Sequence, residues 1–548
     1  MIFGPTRLIE AEGAILAHSL RLGDLNFKKG RRLSKEDVSA LAAAGHEEVT
    51  AARLESSDVH EDEAAERLAT ALAGPLTSIS AAFTGRCNLI AETRGICVVD
   101  EERLNRINRV HESLTLATLS AFEPVEPRQM LATVKIIPFA APRAALESCL
   151  AIAAEAGPLV SAAAFHPIEV GLVQTTLPGI KPAILDKTKA ALDSRLAAVG
   201  APPARELRCA HDPEAVAQSL QVLRRHSLDL LLVSGASAIV DRRDVVPAGI
   251  VDAGGEIDHF GMPVDPGNLL LLAHHEEVPV IGLPGCARSP KINGFDWVLQ
   301  RLAAGLEVSP QDITVMGVGG LLKEIGARPL PRAEAVSGRS ESGAPRAPRI
   351  GAVVLAAGQS RRMGKTNKLL AEVDGEPMLR HAVRAAQASQ VSETVVVTGH
   401  EANRIESALS GLGAKTVHNP DYAQGLSTSL HRGLAALPEE VDGAVILLGD
   451  MPRIDERVID KLIAAFNPVE GRAICLPSFG GKRGNPMLFA RRFFAEVQEI
   501  AGDVGARQLI GTYPELVAEV PMETDAALID VDTPAALGQI TAAKAQKD

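Results

Sequence analysis

The chain has 548 residues, 46% of them apolar, and a formal charge of −12 from 56 basic and 68 acidic side chains. Such a chain buries ordinary cores, is not disordered as a whole, and predicts about three to five domains. Only 3% of residues are aromatic (13 Phe, 2 Tyr, 1 Trp) and the pI is about 5.7. This argues against base-stacking platforms and a nonspecific nucleic-acid footprint, while leaving room for a local basic pocket for a small anion.

Six scattered cysteines (Cys87, Cys97, Cys149, Cys209, Cys286, Cys475) form no C-x-x-C pair, so the zinc and redox motifs of that type are absent. The opening MIFGPTRLIEAEG carries Glu10 and Glu12 and no secretory apolar run. No apolar run approaches the ~20 residues that span a bilayer. The expectation is a soluble, reduced, cytoplasmic protein without nucleic-acid or membrane partners.

In chain order, residues 30–54 predict a helix from Ser34, with Asp37 in its first turn. A second helix is expected over Ser57–Leu72 and a strand over Val134–Phe139. No chemical motif stands in residues 1–165, an α+β region of unassigned role. Residues 166–326 read as α/β. Strands are expected at 170–176, 228–235 and 278–285, and a helix over Lys187–Val199 with apolar positions Ala190, Leu192 and Leu196. A further helix starts with Asp212 as N-cap and Pro213 at its first position. Residues 327–349, ARPLPRAEAVSGRSESGAPRAPR, have the composition of a linker. From 350 to 548, apolar runs at 350–358, 394–399, 444–450 and 473–478 alternate with helical stretches. That alternation predicts a doubly wound parallel sheet.

The strongest chemical signal follows the first of these strands: Leu355-Ala356-Ala357-Gly358-Gln359-Ser360-Arg361-Arg362-Met363-Gly364, with Lys365 and Lys368 behind it. Glycines let the backbone approach a ligand, successive amides form an anion-binding concavity, and the four cations match a triphosphate. A solvated basic loop is the plainer reading. Asp450, in Leu448-Gly449-Asp450-Met451-Pro452, stands at a strand's carboxyl end, the usual ligand crevice, where it serves a ligand or caps a helix. Asp530 and Asp532, in D-V-D-T-P, share a face if the segment is extended. Two weaker turn-like pieces follow the same order: Asn419 to Leu430, with Gly425 and with Ser427 as a possible helix cap, and Gly484-Asn485-Pro486-Met487-Leu488-Phe489.

This loop resembles the L-A-A-G-x-S-x-R-M-G signature of nucleotidyltransferases that make nucleotide-activated sugars, lipid precursors and molybdenum-cofactor dinucleotides. The resemblance runs from Ile350 to about Ile540 and implies a Rossmann-like sheet. It implies nucleotide contacts from Leu355, Ala356, Ala357, Gly358, Ser360, Arg361, Gly364, Gly425 and Ser427. Arg362 and Lys368 would stabilise the departing phosphates, and Mg²⁺ would sit on Asp450 with Asp532, or Asp530 as second choice. Attack by an already anionic phosphate needs no general base, so positioning and charge neutralisation carry catalysis. L-A-A-G rather than L-A-G-G is similar to the cytidylyltransferases of the molybdenum-cofactor branch, so the implied nucleotide is CTP.

Residues 170–305 resemble the molybdopterin-binding fold of molybdotransferases. The resemblance rests on Ser234-Gly235-Ala236-Ser237, Asp241, Asp244, Pro266-Gly267-Asn268 and Leu283-Pro284-Gly285. It implies pterin contacts from Ser234, Gly235, Ser237, Asp241, Asp244, Gly267, Pro284 and Gly285. The sequence departs from the family pattern at Thr175-Thr176-Leu177-Pro178-Gly179, which lacks the family's two acids, at Ala236, and at Cys286. Ligand binding is therefore expected here rather than metal insertion. Arg288 and Lys291 read equally as phosphate contacts or surface charges. Together the two resemblances imply a cytidylyltransferase acting on molybdopterin or the molybdenum cofactor, with a molybdenum hydroxylase as recipient. Transfer to a sugar or polyol phosphate, and a carrier role, are the alternatives.

Overall fold

A computed structural model describes residues 1–22, 25–322, 346–359, 367–499, 507–531, 533 and 536–538. The first 165 residues hold two separate cores. In the first, Ile2–Arg7, Glu48–Arg53 and Ile15–Leu16 form one sheet. Leu16, Phe27, Leu33, Leu41 and Val49 fill its core. Its helix, Lys35–Ala43, starts at Ser34 as expected, with Ser34 and Asp37 closing a capping box. The second core, between Val59 and Ala162, packs helices Glu61–Leu72 and Arg143–Ala153 against antiparallel strands. The helix expected from Ser57 begins only at Glu61, because Asp58–His60 pairs as a strand with Ala140–Pro142. The strand expected over Val134–Phe139 runs instead from Met130 to Ile136.

The third unit is a six-stranded mixed sheet. Its elements are β1 (Val170–Thr176), α1 (Pro182–Ala198), β2 (Arg205–Ala210), α2 (Pro213–Leu223), β3 (Leu230–Ser234), α3 (Val245–Asp252), β4 (Glu256–Phe260), β5 (Leu271–His275), β6 (Val278–Gly282) and α4 (Gly294–Ala303). Strand order is β2-β1-β3-β6-β5-β4, with the first four parallel. Asp212 caps α2 by accepting the Ala215 amide, and Pro213 follows at the first position. In α1, Leu192 and Leu196 are buried as expected, while Thr188 and Ala191 take the place assigned to Ala190.

The fourth unit holds the largest core. Its elements are β7 (Ile350–Ala356), α5 (Met378–Ala388), β8 (Glu393–Thr398), α6 (Ala402–Ala408), β9 (Lys415–His418), α7 (Leu426–Ala435), β10 (Gly443–Leu448), α8 (Glu456–Ala465), β11 (Ile474–Phe479), β12 (Met487–Ala490) and β13 (Val517–Pro521). Strands run β9-β8-β7-β10-β12-β11, with β13 pairing β11. The expected parallel sheet is mixed. β9, β8, β7 and β10 are parallel, but β12 inserts antiparallel between β10 and β11. No helix separates β11 from β12. The chain turns back at Gly480 and Gly481, whose φ of +54° and +74° suit a tight hairpin.

The two N-terminal cores dock at the edge where the parallel strands start. Lys28 Nζ donates to the Val517 carbonyl (2.6 Å), and Gln390 Nε2 donates to Ile79 O (3.0 Å). The Arg472 guanidinium lies over Phe83, and Arg128 donates to Pro348 O. The opposite edge, where β7 and β10 end, carries the chemical motifs.

Candidate active site

β7 is buried along its whole length, as a central parallel strand must be. It delivers Leu355, Ala356 and Ala357 to the sheet edge, all buried, and then Gly358, which is exposed with open space where a Cβ would stand. Ser360, Arg361, Arg362 and Gly364 lie outside the described residues. The next described residue is the buried Asn367. Asn367 Oδ1 accepts the Leu369 amide (3.1 Å), and its Nδ2 donates to Glu401 Oε2 (3.1 Å). Arg404, and then Asn367, hold the Glu401 carboxyl below its ordinary value.

Lys368 and Asp450 are 82 residues apart in sequence, and the fold joins them: Lys368 Nζ donates to Asp450 Oδ2. Both side chains are mostly buried, at 16% and 14% exposure. Asp450 Oδ1 is buried and has no hydrogen-bond partner among the described residues. An orphaned carboxylate oxygen is costly in protein alone, and it suits a cation. Gly449 keeps the loops after β7 and β10 close, since its amide donates to Leu355 O (3.1 Å). A Cβ there would fall 2.8 Å from Leu379 Cδ1.

The D-V-D-T-P segment reaches the same place by its backbone. The Val531 amide donates to Asp450 O (3.0 Å), and the Val531 side chain is fully buried beside Val373 and Met378. Residues 529–531 are not a strand. Asp530 is exposed, and Asp532 lies outside the described residues. Just upstream, Asn485 donates its amide to Ala527 O (3.0 Å), and a Cβ on Gly484 would lie 2.2 Å from that oxygen. The G-N-P turn is thus stapled beside the acidic segment.

Gly425, at φ +123°, takes the cap position of α7. Ser427 does not cap that helix: it lies inside its first turn, at 2% exposure. Asn419 is fully buried and donates to Thr428 Oγ1 (2.9 Å) and Ser429 Oγ (3.0 Å), fixing the start of α7. His400 had no signal in sequence and Tyr422 stood out only as part of the Asn419–Leu430 stretch; their rings are 6.0 Å apart. His400 donates its amide to Ala357 O (3.3 Å). A Cβ on Gly399 would fall 2.7 Å from both Ala357 Cβ and Tyr422 Cβ. Ala357, at 5% exposure, packs into this wall. Its methyl is therefore part of the Gly399–Tyr422 wall and does not stand free.

In the third unit, Ser234 and Gly235 end β3, while Pro284 and Gly285 follow the adjacent β6. Arg288 joins the two loops by donating to Gly235 O. Thr175 Oγ1 accepts the Ala236 amide (2.7 Å) and contacts His211 Nδ1 (2.8 Å). His211 Nε2 lies 2.8 Å from the exposed Ser237 Oγ. His211 gave no signal in sequence. Asp244 caps α3, accepting the Val245 amide at 2.8 Å. Asp241 is engaged by Arg243 (2.8 Å), which holds its carboxyl low. Gly267 is a packing residue: a Cβ would meet the Gly294 amide at 2.7 Å. Burial raises the Cys286 thiol.

Residues 352–517 match the MobA-like NTP transferase domain, and residues 5–53 match a domain of unknown function (DUF8806). The chain is 31% identical over 204 residues to purine catabolism protein PucB of Bacillus subtilis, covering 34% of this chain and 94% of that protein. It is 28% identical over 188 residues to molybdenum cofactor cytidylyltransferase of Escherichia coli, covering 34% and 92%. It is 34% identical over 130 residues to bifunctional protein GlmU of Leifsonia xyli subsp. xyli, covering 23% and 27%. The chain thus spans about a quarter of the length of the GlmU proteins it matches. Fold, motif and matches together define a nucleotidyltransferase. Through its C-terminal domain the chain belongs to the MobA-like nucleotidyltransferases. Among the described residues no helix is long and apolar enough to cross a membrane.

Proposed function

We propose that the C-terminal domain transfers a cytidylyl group from CTP to the phosphate of molybdopterin or its metal-loaded form, and that the third unit holds the pterin. The observation that carries the nucleotidyl-transfer part is the Asp450 carboxylate, with Lys368 on one oxygen and no partner among the described residues on the other. That donor set fits Mg²⁺, with Asp450 as ligand; the Val531 amide ties the D-V-D-T-P segment to Asp450 O, and Asp532 is the second ligand this reading assigns. Bound there, the ion would neutralise charge on the triphosphate. The amides after β7 cradle phosphate oxygens, and Lys368 supplies a cation to the same edge. A phosphate-monoester oxygen of the acceptor forms the new bond to the α-phosphorus. The bond from the α-phosphorus to the bridging oxygen breaks, and pyrophosphate leaves with that electron pair. No side chain needs to take a proton, because the attacking oxygen is already ionised.

The similarity to E. coli molybdenum cofactor cytidylyltransferase and the L-A-A-G loop support CTP and the pterin acceptor. In the third unit, Ser234, Gly235, Ser237, Pro284 and Gly285 gather on one sheet edge and support ligand binding there. A second reading, transfer to a sugar or polyol phosphate, rests on the loop's resemblance to nucleotidyltransferases that make nucleotide-activated sugars. Pyrophosphate release with each NTP, Mg²⁺ and either molybdopterin or a sugar phosphate separates the two. The expected result is release with CTP and molybdopterin, with CTP over GTP by about tenfold or more, the effect of one unpaired polar edge. A GTP preference rejects the cytidylyl assignment, and release only with sugar phosphates rejects the pterin.

A further inference from the structure

A cavity of about 160 Å³ lies where the second N-terminal core meets the nucleotidyltransferase domain. One wall is Ser80, Thr84, Arg86, Asn88 and Lys135; the other includes Arg472 and one carboxylate, Glu470, just ahead of β11, so the lining carries three cations against one anion. The cavity is therefore at the starting edge of the strands, across the sheet from Lys368 and Asp450, and belongs to neither site described above.

Its charges are unbalanced. Arg472 is paired with Glu470 (2.8 Å), and Lys135 lies 3.9 Å from Glu61 while donating to Thr84 O. Arg86 makes no side-chain hydrogen bond or ion pair among the described residues. Burial holds the Lys135 ammonium below its ordinary value; Glu61 opposes this, while Arg86 and then Lys29 add to the depression. Arg86 and Lys135 thus stand close enough to oppose each other's charge, with Glu61 and then Asp62 offsetting part of it. The same wall holds a second unmet demand: Asn88 Oδ1 is buried and has no donor.

One chemical class answers both demands. Inorganic hydrogen phosphate offers anionic oxygens to Arg86, Lys135 and Arg472 and one O–H to Asn88 Oδ1, and a phosphate monoester offers the same set in its singly charged form. We propose that this inter-domain cavity is a phosphate-binding site that clamps the second N-terminal core onto the nucleotidyltransferase domain, using Arg86, Lys135 and Asn88 from one side and Arg472 from the other.

The test is calorimetric titration of the full chain with inorganic phosphate, a simple phosphate monoester, pyrophosphate and sulfate at matched ionic strength. Arg86→Gln, at an exposed position, is expected to weaken phosphate binding about tenfold or more, the worth of one charge-assisted hydrogen bond. Lys368→Gln, across the sheet, is expected to keep this class of binding. Lys135→Gln is the second cavity variant, and Asn88→Ala is expected to abolish preference for phosphate over sulfate, which carries no O–H. Tighter binding of the monoester than of free phosphate identifies a phosphorylated metabolite as the occupant; the reverse identifies phosphate itself. Binding unchanged in both Arg86→Gln and Lys135→Gln, or lost only in Lys368→Gln, overturns the proposal, as does absence of phosphate binding by the unmodified chain.

Discussion

Lys368 Nζ and Asp450 Oδ2 are joined across the mouth of the sheet, and Asp450 Oδ1 beside them has no partner among the described residues. A lysine on one oxygen keeps the carboxylate in place without satisfying it. Asp450→Asn retains the shape and leaves the backbone contact from Val531 to Asp450 O intact, but removes the charge. Pyrophosphate release is expected to fall about a hundredfold or more, with the circular dichroism spectrum unchanged. Removal of divalent metal by a chelator is expected to silence the parent enzyme in the same assay. Near-normal turnover of the variant rejects Asp450 as the metal ligand.

That pair was legible in sequence because both residues sit in motifs whose glycines mark strand ends. β7, β8 and β10 were legible as apolar runs, since central strands are buried on both faces. β12 was not. Its four residues read the same in either direction, and only the Gly480-Gly481 hairpin dictates an antiparallel return. Asp244 shows another limit. An acid in a polar loop suits a ligand or a helix cap equally, and the structure gives it the cap. His211 takes its partners from β1 and the loop after β3, and Tyr422 from the turn after β8, so neither has a local pattern to betray it. The two cores within residues 1–165 were hidden because their strands pair over long separations, as Ile2 with Arg53.

A second prediction concerns residues 346–349, the described end of the segment read from composition as a linker. Asp442 accepts from Arg346 Nη2 (2.9 Å) and from the Arg349 amide (2.7 Å). The Ala347 amide donates to Arg128 O (2.9 Å). A protease needs a locally released backbone. Asp442→Ala is therefore expected to speed tryptic cleavage after Arg346 and Arg349 severalfold, read by mass spectrometry of early fragments. Equal rates in the parent and the variant show that Asp442 does not hold this segment.

A third prediction follows from Glu61. Burial, and then Asp62, push its carboxyl up to about 7 from the ordinary 4.5, against the pull of Lys135. Its side chain is 13% exposed. Between those two values the folded core holds a proton that the unfolded chain has lost, so stability falls as pH rises through that window. The full effect is on the order of 3 kcal/mol. Scanning calorimetry from pH 4.5 to 8 is expected to show a midpoint for this core that declines toward pH 7. In Glu61→Gln that decline is expected to flatten. An identical slope in the variant removes Glu61 as its source.

The last prediction tests the wall on which Ala357 acts. A Cβ on Gly399 would fall 2.7 Å from Ala357 Cβ and equally close to Tyr422 Cβ. No real Cβ tolerates that separation, so Gly399→Ala must push the Ala357 loop, the Tyr422 segment, or both. Overpacking of this kind costs about 1–3 kcal/mol. If the loop carries the proposed nucleotide-binding amides, the loss is expected in kcat/KM for CTP, by about tenfold or more. Ala357→Gly removes one of the two clashing atoms. The double variant is therefore expected to recover part of the loss, a coupling that a double-mutant cycle on kcat/KM measures directly. Recovery only in part is the informative result, because Tyr422 still opposes the new methyl. The cycle also bears on nucleotide choice. If the Ala357 methyl acts through this wall, Ala357→Gly alone relaxes discrimination against GTP, and Gly399→Ala in the same background restores some of it. Strictly additive effects of the two substitutions, on CTP and on GTP alike, reject the wall as the element that sets the pocket's width.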